Sequence, residues 1–241
     1  MPIRGVLFDV GGPLDTEVTR ERLIDEHIRV AFAAAGRPVD DVAFAEAVRW
    51  AVDSFAPDAY QAIIWHLTAR DVNLSERVYH AFAARAHERQ IFELREGIPD
   101  LLDRLYRHGL RLGLAANQQH SIIAQLDACG IGRYFHQREV SGTHGLRKPD
   151  VRLFLRACDG LGISPVDCIM VGDRIDNDVV PAKLLGMRTV LFRTGRHCAQ
   201  QPRSLGRDAG CRGARCCRPG ACHCAPARPA ITRPMGGRDS R

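Results

Sequence analysis

Asp9 closes the opening run Ile3-Arg4-Gly5-Val6-Leu7-Phe8, and Asn117, Lys148, Asp173 and Asp178 stand far downstream, each placed past another apolar run. An acid that ends a strand is positioned to react. In open α/β sheets the residues just beyond the carboxyl ends of parallel strands converge on one crevice, so polar groups far apart in sequence can build a single site. In such a site one carboxylate attacks, two more hold a metal, and a lysine balances the charge.

The motifs carrying these residues read Phe8-Asp9-Val10-Gly11-Gly12-Pro13-Leu14, Ala116-Asn117, Lys148-Pro149-Asp150 and Gly172-Asp173 to Asn177-Asp178. Singly each is weak, because an Asp after an apolar run also suits a turn or a helix cap. Four in this order are specific: the chain resembles the haloacid dehalogenase superfamily of aspartate-nucleophile hydrolases from residue 3 to about residue 195. The resemblance implies phosphoryl transfer to Asp9 from a small phosphorylated metabolite. A carboxylate attacking a phosphate dianion must overcome repulsion, which a hard divalent cation relieves. Mg2+ is the expected cofactor. It prefers oxygen ligands, here Asp9, Asp173 and the backbone carbonyl of Gly11, with Asp178 in its inner or outer sphere. For Asp178 an N-cap to the helix starting near Val179 stays open. Lys148 precedes a proline, which favours an extended loop from which its ammonium can reach Asp9, bind the incoming phosphate and screen the one from the other. Asn117 is expected to donate amide N–H groups to phosphate, although Ala115 and Ala116 stand where the family has Ser or Thr.

Gly11 departs most from the pattern. Phosphatases of the superfamily place a second Asp two residues after the nucleophile, where it protonates the leaving group and then activates water, an effect worth roughly 10² to 10⁴ in rate. Asp15 is a possible substitute, or a helix cap. Gly11→Asp is expected to restore the acid and speed the hydrolysis of alkyl phosphates. Two alternatives follow: a dehalogenase-type hydrolase in which Asp9 displaces halide from carbon, and a catalytically impaired binding protein that keeps the fold.

The elements needed to position these residues are an α/β, Rossmann-like parallel sheet core (1–15 and 96–198) with an inserted helical cap (16–95). Ile24, Ile28, Ala31, Phe32 and Ala35 recur at helical spacing before Gly36-Arg37-Pro38. Helix-like stretches follow at Phe44 to Val52, Ala59 to Ala69 and Arg77 to Phe92, without a strand pattern among them. Strand and helix signals then alternate: Leu112 to Ala115, Ser121 to Ala128, a strand near Val140, Val151 to Leu161, Cys168 to Val171, Val179 to Leu185 and Thr189 to Arg193. In the cap, Trp50, Tyr60, Trp65 and His66 are candidate substrate contacts, though aromatics at helical spacing also suit a core. His120 and His144 stay unassigned.

The chain has 241 residues, 45% of them hydrophobic, enough for a sizeable core. No run of 18 apolar residues appears, so a soluble, cytoplasmic protein is expected, with no membrane partner. Its formal charge is +6, but residues 199–241 carry nine Arg, no Lys and two acids. That leaves the rest at −1. A near-neutral body gives no electrostatic case for nucleic acid, and the oligomeric state stays open. The tail, with five Cys, five Pro and six Gly, cannot bury a core and is expected to be disordered. Its Cys211, Cys216, Cys217, Cys222, His223 and Cys224 lack the paired spacing of a structural zinc site. The Arg, Pro, Ala, Gly and Cys bias is that of GC-rich DNA read out of frame. Cys129, Cys158, Cys168 and Cys198, scattered singly, suit reduced thiols.

Overall fold

The computed structural model describes residues 2–86, 91–202 and the pair 211–212. Its centre is a parallel sheet in the order β3-β2-β1-β4-β5-β6. The strands are β1 (Gly5–Phe8), β2 (Arg111–Ala116), β3 (Phe135–Val140), β4 (Cys168–Gly172), β5 (Arg188–Leu191) and the two-residue β6 (Cys211–Arg212). β1 is interior, with Phe8 opposite Leu114 of β2 on one side and Val171 of β4 on the other. Buried on both faces, it tolerates no polar residue, which is why Gly5-Val6-Leu7-Phe8 reads as continuous apolar sequence.

Alternation along β1 joins two layers. Val6 and Phe8 pack with Leu112, Leu114 and residues of α5 (Ile98–Arg107) and α6 (Ile122–Ala128). Leu7 points the other way, to α8 (Val151–Leu161), which follows the short α7 (Ser141–His144), and to Ala182 of α9 (Val180–Leu184). Leu7 and Phe8 are 0% and 2% exposed, and each such side chain stabilises the fold by about 1.5–3 kcal/mol. The carboxyl ends of β1, β2 and β4 share one edge of the sheet, so Asp9, Asn117 and Asp173 emerge together.

The helix expected from Val179 starts instead as a π-helical turn, Ile175–Val179, that runs into α9. The wider turn is a local distortion that no apolar periodicity announces. Helices α1 (Val18–Ala34), α2 (Asp41–Asp53), α3 (Ala59–Leu67) and α4 (Val72–Ala86) enclose a separate core of Ile28, Phe32, Phe44, Ile63, Val78 and Phe82. Asp40 and Asp58 accept backbone N–H bonds at the starts of α2 and α3, each cap worth about 1 kcal/mol. α4 begins five residues before the expected Arg77, with Asp71 accepting from the Leu74 N–H.

The chain enters and leaves this helical unit through two linkers that run side by side. Thr16 N–H donates to the Glu93 carbonyl at 2.9 Å, and Arg95 N–H donates to the Leu14 carbonyl at 2.8 Å. Asp15 Oδ1 accepts from Glu17 N–H and Glu93 N–H at 2.9 and 3.0 Å, tying both linkers together.

The described residues continue past the expected boundary at 198. Gln200 is buried, and its side-chain oxygen accepts from the Ile175 N–H at 2.7 Å. Cys211–Arg212 pairs with Val190 and Leu191 of β5, so the tail adds a strand rather than standing wholly apart. The cluster from Cys216 to Cys224 lies outside the described residues. Cys129, Cys158 and Cys168 are free thiols. Among the described residues no helix is long and apolar enough to cross a membrane.

Candidate active site

The loop after β1 presents Asp9, whose Oδ1 accepts from the Val10 N–H at 2.7 Å. Its Oδ2 meets Lys148 Nζ at 2.8 Å, and the same ammonium lies 2.6 Å from Asp178 Oδ1. Lys148 arrives from the loop between α7 and α8, with its side chain 1% exposed. Asp173 follows β4 directly. Carboxylate oxygens of Asp9, Asp173 and Asp178 all lie within 4.8 Å of one another. The sheet thus brings four of the expected residues into one cluster.

Asp178 turns back from the π-helical turn: its Oδ2 accepts from the Arg174 N–H at 2.9 Å while Oδ1 faces Lys148. It caps no helix, since α9 starts without a side-chain cap. Gly172 makes this approach possible, because a Cβ there would lie 2.3 Å from Asp178 Cγ. Sequence reasoning gave Gly172 no role of its own.

Asn117 is placed differently from expectation. Its Oδ1 accepts from the Lys148 N–H at 2.7 Å and its Nδ2 donates to the Lys148 carbonyl at 3.0 Å. The carboxamide clamps the lysine's backbone with its oxygen and one of its two N–H groups, a pairing that the phosphate-donor expectation did not include. A side chain at a strand end bonds whatever backbone the next loop brings, and the sequence does not reveal which.

Electrostatics favour a cation here. Burial pushes the Asp173 carboxyl well above its ordinary range, and the neighbouring Asp178 and Asp9 charges push the same way. Burial also raises Asp178, against the pull of Lys148. Burial alone would lower Lys148, yet the Asp178 and Asp9 carboxylates hold it above its usual value. Three carboxylates share one ammonium, leaving an excess of negative charge that a divalent ion with oxygen ligands suits.

Gly11 lies in the turn beyond Asp9, bridged to Asp15. Asp15, the expected substitute acid, is 4% exposed and spends Oδ1 on the two linker N–H groups. The residue that reaches Gly11 is Glu17, which no sequence signal singled out. Its backbone is left-handed, φ 57° and ψ 4°, a conformation costing a non-glycine residue about 1–2 kcal/mol. Burial raises its carboxyl to about 7, opposed by Arg20 and reinforced by Glu21, Asp15 and Asp9.

The aromatic candidates divide. Tyr60 is partly buried, close to Arg20, Glu17 and Arg196, and the Arg196 guanidinium lies 5.7 Å from its ring centre. Trp50 and Trp65 line a cavity of about 520 Å³ among α2, α3 and α4, away from the carboxylates. The His66 ring lies tilted by 32° against Trp50, with ring centres 5.0 Å apart. His120 and His144 bond Thr143 and Glu139.

Residues 3–186 match the haloacid dehalogenase-like hydrolase family. The chain is 28% identical to a glyceraldehyde 3-phosphate phosphatase of Pyrococcus furiosus over 207 residues, 81% of this chain and 82% of that one. It is 35% identical to the enzyme of the same name from Methanopyrus kandleri, over 112 residues, 44% of this chain and 46% of the relative. Among solved structures, a HAD phosphatase from Thermococcus onnurineus has a TM-score of 0.57 at 23% identity, covering 87% of this chain and 93% of that chain.

Proposed function

The chain belongs to the haloacid dehalogenase-like hydrolase family, and on that premise we propose that it is a magnesium-dependent phosphatase acting on a small phosphate ester, with Asp9 as nucleophile. The observation that carries this reading is the convergence of Asp9, Asp173, Asp178 and the Lys148 ammonium within one buried cluster. Relatives named glyceraldehyde 3-phosphate phosphatase and phosphoserine phosphatase support a small phosphorylated metabolite as substrate. A dehalogenase needs no cation, and that reading leaves the Asp173–Asp178 pair without a purpose.

Asp9, Asp173 and Asp178 would hold the magnesium ion, which neutralises charge on phosphate oxygens when bound. A carboxylate oxygen of Asp9 attacks phosphorus. Lys148 orients Asp9 and offsets the charge between it and Asp178, while Asn117 fixes the lysine by both ends of its peptide group. Positioning of this kind supplies most of what phosphoryl transfer asks of a protein. Helices α1 to α4 act in this reading as a cap that closes over the crevice and shapes it for one substrate. Two contacts across the units support it: Arg174 Nη2 donates to the Ala56 carbonyl at 2.9 Å, and Arg196 Nη2 lies 2.6 Å from Asp25 Oδ1.

The test is a panel of phosphorylated metabolites and 2-haloacids, assayed with magnesium and with chelator on the wild type and on Asp9→Asn. Expected are phosphate release that chelator abolishes and an Asp9→Asn variant that folds but does not turn over. Retention of more than about a tenth of activity in that variant removes Asp9 from the role.

A further inference from the structure

Gly11 leaves the position two residues after Asp9 without a side chain, and its space is filled from the helical unit. A Cβ built on Gly11 would lie 2.8 Å from Glu17 Oε1 and 2.8 Å from Oε2. The Glu17 carboxylate therefore sits beside the nucleophile's own loop, where a group carried by residue 11 would otherwise extend. We propose that Glu17 is the proton-transfer residue of this site, supplying from the start of α1 the acid and base that residue 11 lacks. The assignment rests on the phosphatase reading above.

Several independent features aim Glu17 inward. Its left-handed backbone turns the side chain away from the path an ordinary first helical turn would give it, and its N–H is held by Asp15 Oδ1 at 2.9 Å. It occupies the N-cap position of α1 yet makes no side-chain capping bond, so helix formation does not account for where the carboxylate lies. Arg20 Nη1 donates to its Oε1 at 2.7 Å, and its side chain is only 18% exposed. The groups facing it are Arg20, Glu21, Asp15 and Asp9, with Asp173 also close enough to feel its charge. A carboxyl can give a proton as an acid and take one back as a base, the two roles this site asks of one group. Asp15 holds Glu17 in place and is thereby a positioning residue.

The chemistry balances with these groups alone. As an Asp9 oxygen forms its bond to phosphorus, the bond from phosphorus to the ester oxygen breaks, and the departing alkoxide takes the proton of the Glu17 carboxylic acid. Glu17, now a carboxylate, accepts a proton from the water that attacks phosphorus. The bond from phosphorus to Asp9 breaks, inorganic phosphate leaves, and Asp9 and protonated Glu17 are restored.

The same geometry reverses the expectation for Gly11→Asp. In the wild-type background the new Cβ meets Glu17 oxygens at 2.8 Å and sets two carboxyls against each other, so the single substitution lowers activity. With Glu17→Ala the space opens, and Gly11→Asp/Glu17→Ala recovers turnover.

The experiment follows single and multiple turnovers of an alkyl phosphate and of 4-nitrophenyl phosphate, with magnesium, in the wild type, Glu17→Gln, Glu17→Ala, Gly11→Asp and the double variant. An aryl oxide leaves without a proton and an alkoxide does not. Glu17→Gln should slow the first turnover of the alkyl ester by about 10²-fold or more. With the aryl ester it should release one equivalent of nitrophenol in a fast burst and then stall. Equal slowing of both first turnovers, or unchanged alkyl turnover, overturns the assignment and leaves the phosphatase reading standing. A wild type inactive on every phosphate overturns the phosphatase reading and the assignment with it. If Glu17→Gln fails to fold by circular dichroism, the comparison of Glu17→Ala with the double variant decides: recovery supports Glu17, and no recovery overturns it.

Discussion

Replacing Lys148 by Met removes the charge at the centre of the carboxylate cluster while keeping most of its volume. The ammonium lies 2.8 Å from Asp9 Oδ2 and 2.6 Å from Asp178 Oδ1, on a side chain 1% exposed. Breaking a buried pair leaves its partners uncompensated and costs about 3–5 kcal/mol. In a domain of this size each kcal/mol moves the melting temperature by about 2–4 °C, so a loss of about 6–20 °C is expected. The loss depends on pH with a definite sign. Burial already holds Asp173 and Asp178 above the ordinary 3.8, and Lys148 pulls both down. Its removal lifts them further. A carboxyl whose folded value exceeds its unfolded value binds protons more tightly when folded, so stability declines as pH rises from the unfolded value through the folded one. The variant's deficit should therefore be small at about pH 5 and large at about pH 8, and magnesium should reduce it at the higher pH by binding the folded state. Thermal melts followed by circular dichroism at both pH values, with and without magnesium, measure all three effects. A deficit at about pH 8 no larger than at about pH 5 would refute the reasoning, because it would mean that Lys148 does not restrain those carboxylates.

Asn117→Ala should cost about 1–3 kcal/mol in a urea melt, since two hydrogen bonds to the Lys148 backbone are lost, and should lower kcat by freeing the lysine. A rise in KM at unchanged stability would instead restore the phosphate-donor role. Gly172→Ala places a Cβ 2.3 Å from Asp178 Cγ, so it should cost about 1–3 kcal/mol and raise the magnesium concentration needed for half-maximal activity. Wild-type melting and magnesium dependence in that variant would show that Asp178 does not need the space.

Much of the site was legible because it hangs on strand ends. A parallel sheet turns the sequence order Asp9, Asn117, Asp173 into a spatial cluster without further information, and the largely apolar run Ile3 to Phe8 reads as a buried strand, of which Gly5–Phe8 forms β1. Helical periodicity likewise marked α1 from Ile24 to Phe32, and it marked α8 to its last residue. It failed at the start of α4, where Asp71 caps a turn that the apolar spacing alone does not reveal, and at Ile175–Val179, where a π-helical turn replaces the expected helix start.

What the sequence by itself determined is thus the hydrolase family and which charged residues stand at strand ends, since residue type and strand-end position travel with the chain. What only the tertiary structure decided is direction. Asn117 faces a peptide group that sequence places 31 residues away, and Glu17, one acid in a stretch that also holds Asp15 and Glu21, turns into the crevice. Its direction follows from a left-handed backbone at residue 17, a bond to Asp15 and an empty space at Gly11. The glycine at 11 is visible in the sequence, but the backbone at 17 and the bond to Asp15 leave no trace in residue type or spacing, because both arise only when the linkers of the helical unit close against the sheet.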